Sequence, residues 1–415
     1  MREATIINIG DELLIGQVIN TNAAFISRQL NATGIDVAEV VTIGDDAFHI
    51  ESALHRALSQ SDIVLITGGL GPTKDDITKN VLCRFFGQTL VEDSTVLQNI
   101  KRIFDARGYE LTETNHRQAW VPDRCTVINN VLGTAPCMWF DTDEGKVVVS
   151  LPGVPFEMEH LIAEEVVPRL QQHLGMGCIL HKNIIVQGIG ESFLSDLIEP
   201  WEKALPDSIK LAYLPVAGMV KLRLTARGGE AEHLHSDITD AVKKLYPLAG
   251  QYIVGEDRES VPELVSDVMR SRHLWLATAE SCTGGAIASG LTALAGASDY
   301  FKGGVVAYSN EVKMSLLGVK SATLERYGAV SEQTAREMAE GVRTRMNADY
   351  GIATTGIAGP GGGTPDKPVG TVWTAIASAD GTTAKLLHYG DRRQQTIDRT
   401  CNQILSDLIR MIKVD

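Results

Sequence analysis

The N-terminal part of the chain alternates short buried strands with helices, and this alternation restricts the possible folds more than any other feature. The apolar runs at 4–9, 37–43 and 63–67 read as strands, and the segments 23–32 and 49–59 read as helices. Each strand is followed by a turn rich in glycine or aspartate. This order is typical of an α/β fold with a parallel sheet, which binds ligands beyond the carboxyl ends of its strands.

Length and composition bound the number of domains and the class of protein. A chain of 415 residues is too long for one core of usual size, so we predict two or three domains. No run approaches the roughly 20 apolar residues of a membrane span, and the N-terminus goes straight into a strand without a signal region. We therefore expect a cytoplasmic protein with no membrane partner. A net charge of −14 argues against nucleic acid as a partner, because such binding depends largely on lysine and arginine.

Two turns after strands form the candidate N-terminal site, at 10–14 and 67–76. Glycines in the second turn let the backbone approach a ligand closely, and the helix start that follows offers free N–H groups to a phosphate. Lys74 adds a positive charge, while Asp75 and Asp76 are suited to a divalent cation. The alternative is that both aspartates only offset a helix dipole, which leaves the glycines unexplained.

The N-terminal half contains Gly-Asp-Glu-Leu-Leu at 10–14, Gly-Gly-Leu-Gly-Pro-Thr-Lys-Asp-Asp-Ile-Thr at 68–78, Gly-Thr-Ala-Pro at 133–136 and Pro-Gly-Val-Pro-Phe-Glu-Met at 152–158. These motifs resemble the N-terminal domain of the CinA family, which is related to the molybdopterin-binding fold. The resemblance implies hydrolysis of ADP-ribose or a similar nucleoside diphosphate compound with Mg²⁺, Mn²⁺ or Co²⁺. It implies metal ligands at Asp11, Glu12 and Asp76 and a phosphate loop lined by Gly68, Gly69, Gly71 and Thr78.

One position departs from the family pattern. Glycine usually follows the Gly-Thr-Ala-Pro motif, whereas this chain has Cys137. A side chain at a point where the backbone should approach the ligand predicts a weakened N-terminal site.

The sequence in the middle of the chain shows no group of residues in a pattern suited to catalysis or ligand binding. The Gly175-Met176-Gly177 stretch predicts a boundary, and 180–254 reads as a compact α+β unit. We predict a molybdopterin-binding-like domain at 1–174, a connector at 175–257 and a C-terminal α/β domain at 258–415. The connector makes a homodimer the expected assembly.

The segment 277–285 reads as the end of a buried strand that opens through a small-residue turn into a helix. Ser281 in this turn is a weak nucleophile unless a neighbouring base takes its proton, and a buried lysine with a lowered pKa can do so. Lys313 follows the end of another strand and is the candidate base, with Tyr308 as a proton relay or hydrogen-bond donor. The N–H groups at 282–285 are suited to an oxyanion hole.

Two alternatives to this interpretation remain open at the level of sequence. The Ser-Cys-Thr-Gly-Gly turn is also suited to capping a helix, because hydroxyl side chains satisfy free N–H groups at helix starts. Cys282 is a rival nucleophile, although no histidine lies in the nearby sequence to activate it.

The loop at 356–370 contains six glycines and three prolines, between apolar strands at 351–355 and 371–377. The combination of conformationally free glycines and rigid prolines indicates a backbone shaped to cover a small ligand. The alternative is a disordered surface loop, but loops of this length are uncommon without a role.

Segments at 278–285, 308–313, 328–331, 356–363, 367–373 and 390–392 together resemble the nicotinamide-nucleotide amidohydrolase domain that forms the C-terminal part of CinA proteins. The resemblance implies hydrolysis of nicotinamide mononucleotide to nicotinic acid mononucleotide and ammonia, in pyridine nucleotide salvage and without a cofactor. It implies catalysis by Ser281, Tyr308 and Lys313 and substrate contacts from Thr283, Gly284, Gly285, Thr355, Gly356 and the phosphate-binding Arg392. The competing interpretations are a non-enzymatic accessory of DNA uptake and a molybdopterin-binding protein.

Overall fold

The structure is a computed structural model that describes residues 2–73, 76–174, 178–228 and 231–414. The chain divides into two compact units, one of Met1–Leu180 with Arg227–His235 and one of His181–Ala226 with Ser236–Asp415. The predicted roles of Lys74 and Asp75 and the predicted boundary at 175–177 lie outside the described residues. Within those residues, no helix combines the length and the apolar character needed to cross a membrane.

The first unit follows the predicted alternation and then adds short strands and helices. Its elements are β1 (Glu3–Ile9), α1 (Asp11–Leu14), α2 (Thr21–Ala32), β2 (Asp36–Ile43), α3 (Ala47–Gln60), β3 (Ile63–Thr67), α4 (Thr78–Phe85), β4 (Leu90–Glu92), α5 (Ser94–Arg107), α6 (Glu113–His116), β5 (Trp120–Pro122), β6 (Thr126–Ile128), β7 (Cys137–Asp141), β8 (Val147–Leu151), α7 (Pro155–Leu161) and, after a π-helical turn, α8 (Val167–Leu174).

The main sheet of this unit has the order β2-β1-β3-β8-β7-β6. Strands β1, β2, β3 and β8 run parallel, as predicted for an α/β fold, whereas β7 pairs antiparallel with both β8 and β6. Strand β3 is buried along its whole length because helices cover both faces of a central parallel strand. The parallel strands end at one edge, where the glycine-rich turns lie.

The side chain of Cys137 lies in the core of this unit. It is fully buried at the start of β7 and belongs to the same apolar cluster as Ile128 and Trp139. Burial raises the pKa of its thiol far above the usual range. The prediction that this side chain crowds the ligand is wrong, because the residue faces the core rather than the cavity described below.

The rest of the chain contains the connector and the C-terminal α/β domain, and it belongs to the second unit except for the parts up to Leu180 and at Arg227–His235. Its elements are β9 (Cys178–Gln187), α9 (Glu191–Glu202), β10 (Ile209–Val216), β11 (Met219–Gly228), α10 (Ala231–Ala249), β12 (Ile253–Glu256), α11 (Val261–Ser271), β13 (Leu276–Glu280), α12 (Ala286–Thr292), β14 (Phe301–Val306), α13 (Asn310–Leu317), α14 (Ser321–Tyr327), α15 (Glu332–Arg345), β15 (Tyr350–Gly356), β16 (Thr371–Ala377), β17 (Thr382–His388) and α16 (Arg393–Val414).

The C-terminal sheet positions the candidate nucleophile. Its order is β14-β13-β15-β16-β17, and β13 runs parallel to both of its neighbours. Glu280 at the end of β13 pairs with Val306 on one side and with Thr354 on the other. The turns that follow β13 and β14 therefore meet at the same edge of the sheet, beside the end of β15.

The connector packs against the C-terminal domain within the second unit. Its strands form a sheet in the order β10-β11-β9-β12, and Ile185, Met219 and Val254 join the apolar cluster around α11 and α16. Arg410 on α16 donates to the backbone carbonyl of Gln187 at 3.1 Å. The segment predicted as a separate domain thus shares a core with the residues that follow it.

Candidate active site

The candidate C-terminal site centres on a buried serine and a buried lysine. Ser281 follows β13 and Lys313 lies on α13, and the side-chain atoms Oγ and Nζ are 3.1 Å apart. Ser281 is 8% exposed and Lys313 is 1% exposed. The fold thus brings together two predicted residues that are 32 positions apart in sequence, at the distance that a proton transfer needs.

Burial weakens the preference of Lys313 for its ammonium form. Burial lowers the pKa of Lys313 below its ordinary value, because an ammonium ion loses its hydration in the interior. Its Nζ also lies 2.7 Å from the carbonyl oxygen of Ala307 and 3.3 Å from that of Tyr308. A neutral amine has two hydrogens and one lone pair, so two carbonyls can take the hydrogens while the lone pair accepts from the Ser281 hydroxyl.

The carboxylate of Glu280 organises the turn that carries Ser281. Glu280 is 1% exposed, and its Oε2 accepts from the hydroxyl of Thr283 at 2.7 Å and from the amides of Gly285 and Ile287 at 3.0 and 3.1 Å. Its Oε1 accepts from the amide of Ala288 at 2.8 Å. The helix start is therefore capped by a residue of the preceding strand, which satisfies amides that would otherwise have no partner.

These hydrogen bonds reduce the number of amides that are available for the predicted oxyanion hole. The amide of Gly285 is taken by Glu280, and the amide of Gly284 donates to the carbonyl of Ser281 at 3.1 Å, so neither is available. The amides of Cys282 and Thr283 donate to no oxygen acceptor in the described parts of the chain. The two donors that remain are the amides of the two residues that directly follow Ser281.

The rival nucleophile, Cys282, is kept as a thiol. The residue is 6% exposed, and burial, with a smaller contribution from the negative charge of Glu280, raises the pKa of Cys282 to about 12. Since the thiolate is the reactive form of cysteine, the environment favours Ser281 as the nucleophile.

The other predicted residues take different positions. Tyr308 is 65% exposed, and its backbone carbonyl rather than its hydroxyl contacts Lys313. Thr355 is 1% exposed, and its hydroxyl donates to the carbonyl of Ala329 at 2.7 Å. A Cβ at Gly356 would lie 2.6 Å from the carbonyl oxygen of Thr371, so glycine permits close pairing of β15 and β16 there.

The glycine- and proline-rich loop is held by specific contacts. The amide of Thr364 and the carbonyl of Lys367 form a 2.9 Å hydrogen bond, and Nζ of Lys367 donates to the carbonyl of Tyr327 at the same distance. Arg393 at the start of α16 donates through Nη1 to the carbonyl of Gly359 at 3.0 Å. Arg392, the predicted phosphate ligand, directly precedes Arg393 in the chain, and it is exposed.

A second candidate site lies at the strand ends of the first unit, around a cavity of about 450 Å³. Gly68, Gly69 and Gly71, the glycines of the predicted phosphate loop, line it. A Cβ at Gly68 would lie 2.1 Å from the carbonyl oxygen of Ile9, so only glycine fits this turn. Thr78 does not line the cavity, because its side chain lies behind Gly69 and is fully buried.

The carboxylates at this cavity include one that the sequence did not single out. Glu12, Asp45 and Asp76 line the wall, whereas Asp11 lies beside them and its amide donates to Asp45 at 3.3 Å. Burial raises the pKa of Asp45, and the charges of Asp11, Glu12 and Asp76 add to this rise. Among the described residues, no three acidic, histidine or cysteine side chains are arranged to hold one metal ion.

Three residues missed in the sequence have recognisable signals. Glu280 is a charged residue at the end of an apolar strand and immediately before a helix start, where only the free amides of that helix can satisfy it. Asp45 follows β2, which lies in the same sheet as the strands before both predicted turns. Arg393 adjoins the predicted Arg392, and sequence alone cannot decide which of two adjacent arginines faces the loop.

Comparisons with known proteins match the whole described architecture. Three family models match: a probable molybdopterin binding domain at 5–172, a damage-inducible protein CinA KH domain at 181–255 and a CinA C-terminal domain at 258–412. A CinA-like protein of Flavobacterium psychrophilum is 43% identical over 412 residues, which cover 99% of this chain and 98% of that protein. A CinA-like protein of Cytophaga hutchinsonii is 43% identical over 410 residues, with the same shares covered. The solved structure of competence/damage inducible protein CihA from Agrobacterium tumefaciens is 42% identical, with a TM-score of 0.36, and covers 36% of this chain and 94% of its own.

Proposed function

The chain belongs to the CinA family, and we propose that its C-terminal domain hydrolyses nicotinamide mononucleotide to nicotinic acid mononucleotide and ammonia. The single observation that carries this proposal is the buried 3.1 Å contact between Lys313 Nζ and Ser281 Oγ. The choice of substrate follows the resemblance of the C-terminal motifs to the nicotinamide-nucleotide amidohydrolase domain. The reaction class follows from the chemistry of a serine paired with a neutral lysine.

In the proposed first step, Ser281 Oγ attacks the carboxamide carbon while the amine of Lys313 takes the hydroxyl proton. The C–O bond forms as the carbonyl π pair moves to oxygen, and the amides of Cys282 and Thr283, which donate to no oxygen acceptor in the described residues, are the proposed donors to that oxyanion. Each such donor contributes about 3–4 kcal/mol to lowering the barrier. The Lys313 ammonium then protonates the leaving nitrogen, and ammonia departs as the C–N bond breaks.

In the second step, water attacks the acyl ester on Ser281. The neutral amine of Lys313 takes a proton from this water, and the ammonium returns it to Ser281 Oγ as the ester bond breaks. Nicotinic acid mononucleotide leaves, and the serine hydroxyl and the lysine amine are restored. The exposed guanidinium of Arg393, bound to the loop carbonyl of Gly359, and that of Arg392 are candidates to hold the substrate phosphate.

The test is ammonia release from nicotinamide mononucleotide by the full chain. Ser281→Ala and Lys313→Ala should each lower kcat by at least about 10³-fold, because the nucleophile and its base act as a unit. Matched controls are Ser289→Ala, on the exposed face of α12, and Lys320→Ala, an exposed lysine. Controls that retain activity while both site variants lose it support the proposal. Full activity in either site variant contradicts it.

We propose a second activity for the first unit, a metal-dependent hydrolysis of ADP-ribose or a related nucleoside diphosphate. The observation that favours it is the glycine-lined cavity with Glu12, Asp45 and Asp76 on its wall. Carboxylate oxygens suit a hard cation such as Mg²⁺, which often uses only one or two carboxylates together with substrate phosphates. When bound, the ion would offset the negative charge of the pyrophosphate. The glycine turn lets the backbone approach the phosphates closely.

Incubation with ADP-ribose and Mg²⁺, Mn²⁺ or Co²⁺ tests this second activity. Asp76→Asn and Asp45→Asn should each remove hydrolysis of the pyrophosphate bond, whereas Asp143→Asn, in an exposed turn, should not. Hydrolysis that persists in both cavity variants contradicts the proposal.

A further inference from the structure

Glu280 is a buried carboxylate that the proposed reaction does not use. It lies at the end of β13, immediately before the nucleophile, and accepts four hydrogen bonds from one hydroxyl and three amides. Within the described residues no lysine or arginine forms an ion pair with it. Burying a charge without such partners is costly, so these four donors account for its stability in the interior.

The hydrogen bonds to Glu280 divide the amides of the turn into two groups, those that donate to the carboxylate and those that do not. The amides of Gly285, Ile287 and Ala288 donate to the carboxylate. The amides of Cys282 and Thr283 are left facing no oxygen acceptor in the described chain. A carboxylate that holds the helix start in this way also prevents those three amides from competing for a ligand oxygen.

A second set of contacts ties the same turn to the neighbouring strand. The hydroxyls of Thr283 and Thr354 are 2.7 Å apart, and the amide of Ser281 donates to the carbonyl of Thr354 at 2.9 Å. Because Thr283 donates its hydrogen to Glu280, Thr354 must donate to Thr283. Ser281 is therefore held between β15 on one side and the Glu280 carboxylate on the other.

We propose that Glu280 is a positioning residue for the amidohydrolase reaction: its carboxylate fixes the turn so that Ser281 Oγ and the amides of Cys282 and Thr283 face one substrate carbonyl. This inference rests on the proposed function of the C-terminal domain. It goes beyond helix capping, because a cap affects stability alone, whereas a positioning residue also affects the rate of the chemical step.

Glu280→Gln separates the two roles, since glutamine has the same shape but only one acceptor oxygen. Both carboxylate oxygens accept from amides, so the NH₂ group of glutamine must face an N–H donor in either orientation. We expect kcat to fall about 10²-fold, in line with the effect of a 1 Å misplacement. KM should stay unchanged, because only a contact used in the transition state is disturbed.

Glu337→Gln is the matched control. Glu337 accepts from the amide of Lys320 and the hydroxyl of Thr323, both at 2.9 Å, and so caps the start of α14 in the same domain. Both variants should lower the melting temperature. Only Glu280→Gln should lower kcat, while Glu337→Gln keeps it within twofold. A Glu280→Gln protein that retains wild-type kcat overturns the inference.

Thr354→Val decides the matter if Glu280→Gln fails to fold. Valine keeps the volume of this buried side chain but removes the hydroxyl that holds Thr283. We expect kcat to fall roughly 10-fold at constant KM, and an unchanged kcat overturns the inference. A wild-type chain that releases no ammonia from nicotinamide mononucleotide overturns the proposed function and the inference with it. A normal wild-type rate with an unaffected Glu280→Gln variant overturns the inference alone.

Discussion

At the scale of single residues, the protonation state of Lys313 governs the proposed chemistry. Its amine contacts two backbone carbonyls and the hydroxyl of Ser281, and the residue is almost completely shielded from water. Burial therefore lowers its pKa from the ordinary value for lysine. A lysine on the surface would stay protonated at neutral pH and would accept no proton from serine.

The lowered pKa of Lys313 predicts a rise of activity with pH. Protonation blocks the base, so kcat/KM should increase as the pH rises through the lowered pKa and level off below the pH near 10.4 at which a free lysine titrates. The measurement is kcat/KM for ammonia release between pH 5 and 10. Lys313→Arg should be inactive throughout, because arginine stays protonated. A rate independent of pH over this range contradicts the assignment of Lys313 as the base.

At the scale of elements, the strands that lead into both sites were predictable from the sequence. Strand β3 at Ile63–Thr67 and strand β16 at Thr371–Ala377 begin and end where their apolar patterns predict, because buried runs flanked by turns leave few alternatives. The antiparallel strands β6 and β7 were not predicted. They are short, and nothing local to a short apolar segment specifies the direction of its partner strand.

Those residues of the site that local sequence patterns identify were predictable. Ser281 and Lys313 were identified because each follows a strand end, and parallel strands bring such ends together. The role of Glu280 was not predicted, since it depends on which amides face the carboxylate in three dimensions. The same limit explains Gly285, whose amide was expected in the oxyanion hole but is bound by that carboxylate.

At the scale of the whole molecule, each of the two units has its own hydrophobic core. In the second unit, the connector is tied to α16, the helix whose first residue, Arg393, contacts the loop carbonyl of Gly359. Asn402 on this helix donates to the carbonyl of Ala217 at 3.1 Å, and Arg410 donates to that of Gln187. The connector therefore contributes to the stability of the C-terminal domain.

Arg410→Ala should lower the free energy of unfolding by about 1–2 kcal/mol, because it leaves the partly buried carbonyl of Gln187 without its donor. Urea unfolding of the full chain, followed by circular dichroism, measures this change. Arg392→Ala, at an exposed position, should change it by less than about 0.5 kcal/mol. Equal stability of the Arg410→Ala variant and the wild type would show that the connector does not support α16.

The central claim is that Ser281 attacks the substrate and carries an acyl group, with Lys313 as its base. Hydroxylamine tests it directly, because this nucleophile competes with water for an acyl ester. With nicotinamide mononucleotide and hydroxylamine, the wild-type protein should form the hydroxamate of nicotinic acid mononucleotide, and Ser281→Ala should form none. Ammonia release by the wild type without any hydroxamate, or hydroxamate formation by Ser281→Ala, would contradict the account.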